Sequence, residues 1–190
     1  HKQVYLVLGE VPEVDHGLNP LSLLHLEDID DIGPLGGLAA LWNLVTLLSV
    51  DLATHDGMAV CFDENDVRPM GREAVGVRGI RLREGDYVVG AARAKADHEV
   101  LSITEKGYGK RTPVEEYRVT NRGGIGIKNY MVTEKTGSVV GIKVVDGSED
   151  LLLVTQSGIL IRTHVDAIRT AGRATQGVIV MRFKEEGDQV

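Results

Sequence analysis

Apolar residues in this chain come in short runs interrupted by two polar residues and a glycine, and the interruption returns in the same form. The segments read DLAT-HDG-MAVCF, VLSIT-EKG-YGKRT and LLLVT-QSG-ILIRT. Runs of this length, rich in Val, Ile, Leu and Thr and bounded by turn residues, predict strands rather than helices. A three-residue connection with glycine in the left-handed conformation closes a hairpin, because glycine has no Cβ to clash at positive φ. Each segment therefore predicts a β-hairpin.

The anchors of these hairpins repeat. Thr54, Thr104 and Thr155 stand three residues before Gly57, Gly107 and Gly158, and Gly76, Gly126 and Gly177 follow those glycines by nineteen. Successive copies lie 50 or 51 residues apart, and Gly90 and Gly141 carry the register further downstream. A period of this length is typical of solenoids and propeller-like arrays. After each hairpin a polar connector, containing Pro69, Pro113 or the segment 170–172, leads to a third apolar run: VRGIRL, GIGIKNY or GVIVMRF. A glycine turn, such as 84–86, then leads to a fourth run, as in YVVGA and SVVGIKVV. Four short strands per unit predict an all-β, propeller-like array of four-stranded blades. The expected organisation is one domain over residues 1–190, with blades at 51–94 and 100–145 and an incomplete third at 151–190.

The front of the chain is less regular. KQVYLVLGEVPEV reads as a strand, a turn and an edge segment, NPLSLLHLE as a second strand, and residues 27–31 as an acidic loop. Residues 1–35 are expected to form a degraded blade, with Lys2 near the slot of a turn glycine. Residues 32–50 carry no charge, but Gly33, Pro34, Gly36 and Gly37 break them. A membrane helix needs about 20 apolar residues in succession, so a buried strand pair or short core helix is expected here. The pattern reads as cut at both ends.

Composition narrows the classes. A single cysteine, Cys61, excludes an internal disulfide, and no secretory or transit pattern opens the chain, which points to a reducing cytoplasm. Six scattered histidines make no zinc spacing, so no metal site is expected. The net charge of −7 hides a division: residues 1–66 hold one base and twelve acids, and residues 67–190 hold twenty bases and sixteen acids. The repeats thus carry nearly all the positive charge, a pattern that suits a polyanion partner.

The motifs GYGKRTPVEEYRVTNRGGIGI, DVRPMGREAVGVRGIRL and SGILIRTHVDAIRTAGRATQGV resemble consecutive blades of the C-terminal domain found in the A subunit of DNA gyrase. The match is dense from residue 51 to 190, and VYLVLGEVPE with NPLSLLHLE resembles that domain's first blade more loosely. The resemblance implies a β-pinwheel, in which neighbouring blades exchange strands and a basic outer rim binds and bends or wraps duplex DNA without sequence choice, in support of negative supercoiling. It implies as partners double-stranded DNA, the B subunit of gyrase and the breakage-reunion domain of the same polypeptide, all in the bacterial cytoplasm with the nucleoid. No catalytic residue, cofactor or metal is expected in this chain; ATP and Mg would act elsewhere in the enzyme. Two departures stand out. A whole blade that the family places before the DLAT-like hairpin is replaced by the short run 38–50. The family's glutamine-arginine-rich heptapeptide, needed for full wrapping, has no match near His1, and Asn121-Arg122-Gly123-Gly124 is a partial echo of it.

Sequence-independent binding of a duplex requires cations at intervals along a convex surface, and arginine suits phosphate because its fork engages two oxygens. The connectors hold Arg68 and Arg72, then Lys110, Arg111, Arg118 and Arg122, then Arg162, Arg169 and Arg173, while Arg78 and Lys128 start third strands. A radial fold would set them along one rim. The opposing expectation is that each is a solvated cation paired with Glu73, Glu115, Glu116 or Asp166. Other chemistries fit poorly. Residues 107–112 lack the first glycine of a phosphate loop, and 124–126 lack the third glycine of a dinucleotide fingerprint. Tyr108, Tyr117 and Tyr130 fit packing better than nucleophilic roles, and 4% aromatic content disfavours base stacking on single strands. The rival classes are a protein-binding propeller and the related C-terminal domain of topoisomerase IV.

Overall fold

The fold was analysed in a computed structural model, which describes residues 7–8, 49–70, 73–183 and 187–190. Three hairpins stand where the repeats place them. They are β2 (Ser49–Thr54) with β3 (Met58–Asp63), β5 (Glu99–Thr104) with β6 (Tyr108–Pro113), and β9 (Asp150–Val154) with β10 (Leu160–His164). At each turn the glycine has positive φ and its amide donates to the threonine carbonyl three residues earlier, at 2.9–3.0 Å. The same threonine's hydroxyl accepts from the amide after the glycine, at 3.2 Å in all three copies. The recurring Thr-x-x-Gly is thus a turn tied from both ends.

Each hairpin runs into a one-turn 3₁₀ segment, at Glu64–Asp66, Val114–Glu116 and Val165–Ala167, where the sequence predicts only a polar connector. The fourth strands, β4 (Val88–Ala94) and β8 (Val139–Val145), return beside β2 and β5 with a bulge at the same place in each. Val190 stands where Val88 and Val139 begin those strands. Its amide donates to the Glu105 carbonyl at 2.9 Å, as that of Val139 does to His55 at 3.0 Å.

The third runs depart from the simple pattern. β7 (Ile127–Lys128) and β11 (Val178–Ile179) are two residues long, and each pairs with the hairpin of the preceding repeat, β7 with β3 and β11 with β6. The sheets therefore run β4-β2-β3-β7 and β8-β5-β6-β11. VRGIRL forms no strand. In the third sheet β1 (Val7–Leu8) lies beside β9, the slot that β4 and β8 fill in the others. The strand expected near residue 7 thus joins the last sheet as its third described strand; expectations for Lys2 and residues 9–48 lie outside the described residues.

Apolar side chains gather between blades. One cluster joins Ala53, Ala59 and Cys61 of the first blade to Val100, Tyr130 and Val139 of the second. Another joins Leu101 and Ile103 to Leu151, Leu153 and Met181. Strand exchange brings backbones into contact at the seam. A Cβ on Gly126 would lie 2.4 Å from the Ala59 carbonyl oxygen, and one on Gly177 2.4 Å from that of Gly109, both at positive φ. Alanine at either position needs both a strained backbone and a displaced neighbouring strand.

One buried group opposes the core. Asp51 is 2% exposed, and neither carboxylate oxygen has a conventional hydrogen-bond donor among the described residues. It faces Cys61 across the hairpin, and the weakly donating thiol offsets only part of the burial, which pushes the carboxyl up to about 6 from 3.8. A raised folded-state pKa favours the protonated acid, so stability present below pH 3.8 is lost as pH rises through about 6. Asp51→Asn is therefore expected to be near neutral at pH 4 and to stabilise the fold at pH 7.5 by about 1–3 kcal/mol, read by denaturant unfolding at both pH values. In the same assay Gly126→Ala should cost about 3 kcal/mol or more, and Gly76→Ala only the backbone strain of about 1 kcal/mol, since a Cβ there meets no described atom within 4 Å.

Candidate nucleic-acid interface

Each 3₁₀ turn ends on a residue that turns its side chain inward, and the next residue is an arginine. Val67, Tyr117 and Ile168 are the C-capping residues, and Arg68, Arg118 and Arg169 follow them, all three exposed. Just beyond, the chain steps onto the preceding blade through single parallel bridges, Val119 to Cys61 and Thr170 to Arg111. Arg118 and Arg169 therefore occupy one structural position, at the crossing between hairpin and exchanged strand, and Arg68 holds the same place after the 3₁₀ turn of the first blade. None of them forms an ion pair among the described residues. Arg78 and Lys128, fifty residues apart, are exposed near the exchanged strand in the same way.

Two expected rim residues are not on the rim. Lys110 is fully buried, and its ammonium donates to the carbonyls of Asn129, Gly172 and Arg173 at 2.7–2.8 Å, 5.3 Å above the Tyr130 ring. Its three N–H groups are all engaged, and burial lowers it to about 8 from 10.5. Arg111 lies between blades: Nη1 meets Glu99 at 2.7 Å, Nε the Ile168 carbonyl at 2.7 Å and Nη2 the Asp166 carbonyl at 3.1 Å. Both side chains hold the second and third repeats together, and their donors are turned to the seam rather than to a phosphate. A basic dipeptide in a connector carries no sign of burial, so the sequence pattern alone places them outside.

Others are partly committed. Arg122 donates through Nε to the Asp66 carbonyl at 2.8 Å and through Nη1 to that of Arg78 at 3.2 Å, and Arg173 repeats the clamp on Lys128 at 3.3 Å. The exposed Arg162 pairs with Asp150 on the facing strand, Nε to Oδ2 at 2.8 Å. Arg72 lies outside the described residues. Of the acids expected to neutralise this set, Glu115 accepts the Asp97 amide and Glu116 that of Arg173. The repeat register also contains cations not among the expected ones. Arg81 and Arg182 share one slot and are exposed, and the spacing that aligns Arg78 with Lys128 would have found them.

Two four-stranded blades, each completed by a strand from the next repeat, a third sheet built on the same hairpin, and an exposed arginine recurring after each 3₁₀ turn define a strand-exchanged β-propeller, or β-pinwheel. The family described as DNA gyrase C-terminal domain, beta-propeller, matches residues 52–95, 98–146 and 149–190, and the chain belongs to it. The A subunit of DNA gyrase from Staphylococcus epidermidis is 51% identical over 134 residues, and that from Staphylococcus aureus 50% over 137. The first alignment covers 70% of this chain and 15% of the relative, the second 71% and 16%. The chain thus spans a small part of those relatives. Among solved structures, a DNA gyrase A C-terminal domain superposes with a TM-score of 0.69 at 30% identity, covering 74% of this chain and 48% of that one. The C-terminal domain of a DNA topoisomerase IV gives 0.70 at 27%, covering 76% and 45%.

If Lys110 is a structural clamp, Lys110→Met should lower stability by about 3 kcal/mol or more by orphaning three carbonyls. The remaining folded protein should bind duplex DNA with unchanged affinity and salt dependence, measured by calorimetry for the first and filter binding for the second.

Proposed function

We propose that the chain binds duplex DNA through its phosphates and bends it across the blade edges, as part of the A subunit of a gyrase-type topoisomerase. The observation that carries this reading is the identical placement of Arg68, Arg118 and Arg169, each exposed and unpaired with any described acid. Arg78, Lys128 and the free parts of Arg122, Arg173 and Arg162 extend the strip, and Arg72 belongs to it by register. No pattern of base-reading side chains accompanies them among the described residues, which fits contacts that position a duplex without choosing its sequence. Bending a 20–30 bp site by 40–90° costs on the order of 1–6 kcal/mol, so contacts from several blades have to act together.

In this reading the domain has no catalytic residue, cofactor or metal of its own. Strand cleavage falls to the breakage-reunion domain and ATP chemistry to the B subunit of gyrase, with Mg acting outside this chain, which presents curved DNA to them. The near-equal structural likeness to a topoisomerase IV domain supports a second reading, in which the same strip serves relaxation rather than supercoiling. A holoenzyme rebuilt with this domain and assayed for negative supercoiling separates the two. A protein-binding propeller would show no shift of a short duplex.

Counterion release sets the quantitative test. Each phosphate neutralised contributes about −0.9 to the slope of log K against log salt. Replacing Arg68, Arg118 and Arg169 together with glutamine should flatten the slope by about 2–3 and weaken binding at least tenfold at low salt, with thermal stability unchanged. A slope identical to that of the unmodified chain would remove these residues from the interface.

A further inference from the structure

The two described seams between blades share a backbone frame and differ in the side chains laid over it. In both, residues after the exchanged strand donate to a turn-glycine carbonyl, Asn129 and Tyr130 to Gly57, and Val180 and Met181 to Gly107. In both, two further amides tie the crossing: Thr120 to Cys61 and Arg81 to Gly124 in the first seam, Ala171 to Arg111 and Met131 to Thr175 in the second, all at 2.7–3.1 Å.

In the second seam four side chains of the second repeat reach main-chain carbonyls of the third. Lys110 takes those of Gly172 and Arg173, Arg111 those of Asp166 and Ile168, Thr112 that of Ala171 and Tyr130 that of Gln176. Lys110, Thr112 and Tyr130 are fully buried, so water does not compete for their bonds, and two of the four donors are charged. At the equivalent positions the first repeat carries Val60, Cys61, Phe62 and Ile80. Val60, Phe62 and Ile80 are hydrocarbon side chains packed on one another within their own blade, and Cys61 faces Asp51 across its own hairpin. The Gly79 carbonyl, in the place of that of Asn129, takes the Gly123 amide, and Arg122 clasps the carbonyls of Asp66 and Arg78 from the solvent side. The crossing itself also differs. Gly123 and Gly124 stand in the first seam where Ala174 and Thr175 stand in the second, and glycine leaves the backbone freer to rotate.

Apolar contact is non-directional and survives a change of angle, whereas buried hydrogen bonds hold only near one geometry. We propose that the array yields at one seam: the second and third blades move as a single body, and the first blade pivots on it about the 121–126 crossing. The apolar cluster that joins Ala53 and Ala59 to Val100 and Val139 acts as the bearing. On the DNA-binding reading, which the pivot itself does not require, the rotation changes the angle of Arg68 and Arg78 to Arg118 and Arg169. The strip can then follow a duplex of changing curvature.

The test uses the 190-residue chain. Four amides report on the seams in matched positions, Thr120 against Ala171 and Arg81 against Met131. Native-state hydrogen exchange should show protection about tenfold lower for the first member of each pair. Thr112→Val with Tyr130→Phe keeps the shape of the buried side chains; it should bring Ala171 and Met131 down towards their counterparts and leave Thr120 and Arg81 unchanged. Spin labels at exposed turn positions read the two inter-blade distances, Asp56→Cys with Lys106→Cys for the first and Lys106→Cys with Ser157→Cys for the second, while the buried Cys61 stays unlabelled. The 56–106 distribution should be broad and shift when duplex DNA is added, and the 106–157 distribution narrow and unmoved. Equal protection within the amide pairs, or two distributions of equal width, overturns the pivot. DNA binding with no shift in either distance, or with an equal shift in both, overturns its part in bending. A chain that retains no duplex in a filter assay would instead refute the DNA-binding reading, and the exchange rates and distribution widths alone then decide the pivot.

Discussion

The constraint on which the architecture rests is that the two four-stranded blades do not finish their own sheets. The second strand of a hairpin needs an edge partner, and among the described residues two hairpins take theirs from the following repeat, through β7 on β3 and β11 on β6. Glycine is required at the crossing because one backbone lies against the carbonyls of another, at a distance that no side chain tolerates. The apolar clusters follow from this, since packing between blades is dictated by strands already shared between them. Neighbouring blades are therefore bound by backbone hydrogen bonds as well as by area, and their relative angle is set at the same crossing that carries the recurring arginine.

Cations in this chain divide into two groups by what surrounds their backbone. At a seam, carbonyls left over from turns and crossings collect basic side chains: Lys110 takes three of them, Arg111 two, and Arg122 and Arg173 reach back to the preceding blade. Two residues after each 3₁₀ turn the side chain meets no such described acceptor, and the arginine stays in solvent. The first blade lacks part of this arrangement. Cys61 takes the place of Arg111 and Arg162, and the buried carboxyl of Asp51 lies opposite it without a described cation.

Much of this was legible before any coordinates. Hairpins follow from an apolar run, a Thr-x-x-Gly turn and a second run, all local, and the fourth strands follow from the same register. The third strands were legible as apolar runs but not as short edge pairings with a neighbour, because a period of two says which residues alternate and nothing about which hairpin they join. The 3₁₀ turns carried no signal in a polar connector. Among the site residues, equivalence of Arg68, Arg118 and Arg169 is written in the spacing. The burial of Lys110 is not, since it depends on carbonyls of Gly172 and Arg173, some sixty residues further along. Residues 9–48 lie outside the described structure, and the sequence pattern there has no repeat to read it against.

The shared edge also imposes an order on synthesis. Emerging from the ribosome, the hairpin of β2 and β3 lacks its outer strand until Lys128 has been translated, and that of β5 and β6 until Ile179. At every moment of elongation one newly made hairpin is exposed with its outer edge unmatched, and it is covered only when the next repeat arrives. Assembly is therefore vectorial, one repeat behind translation, and the interval in which a nascent chain can pair with the wrong neighbour is as long as a single repeat takes to make.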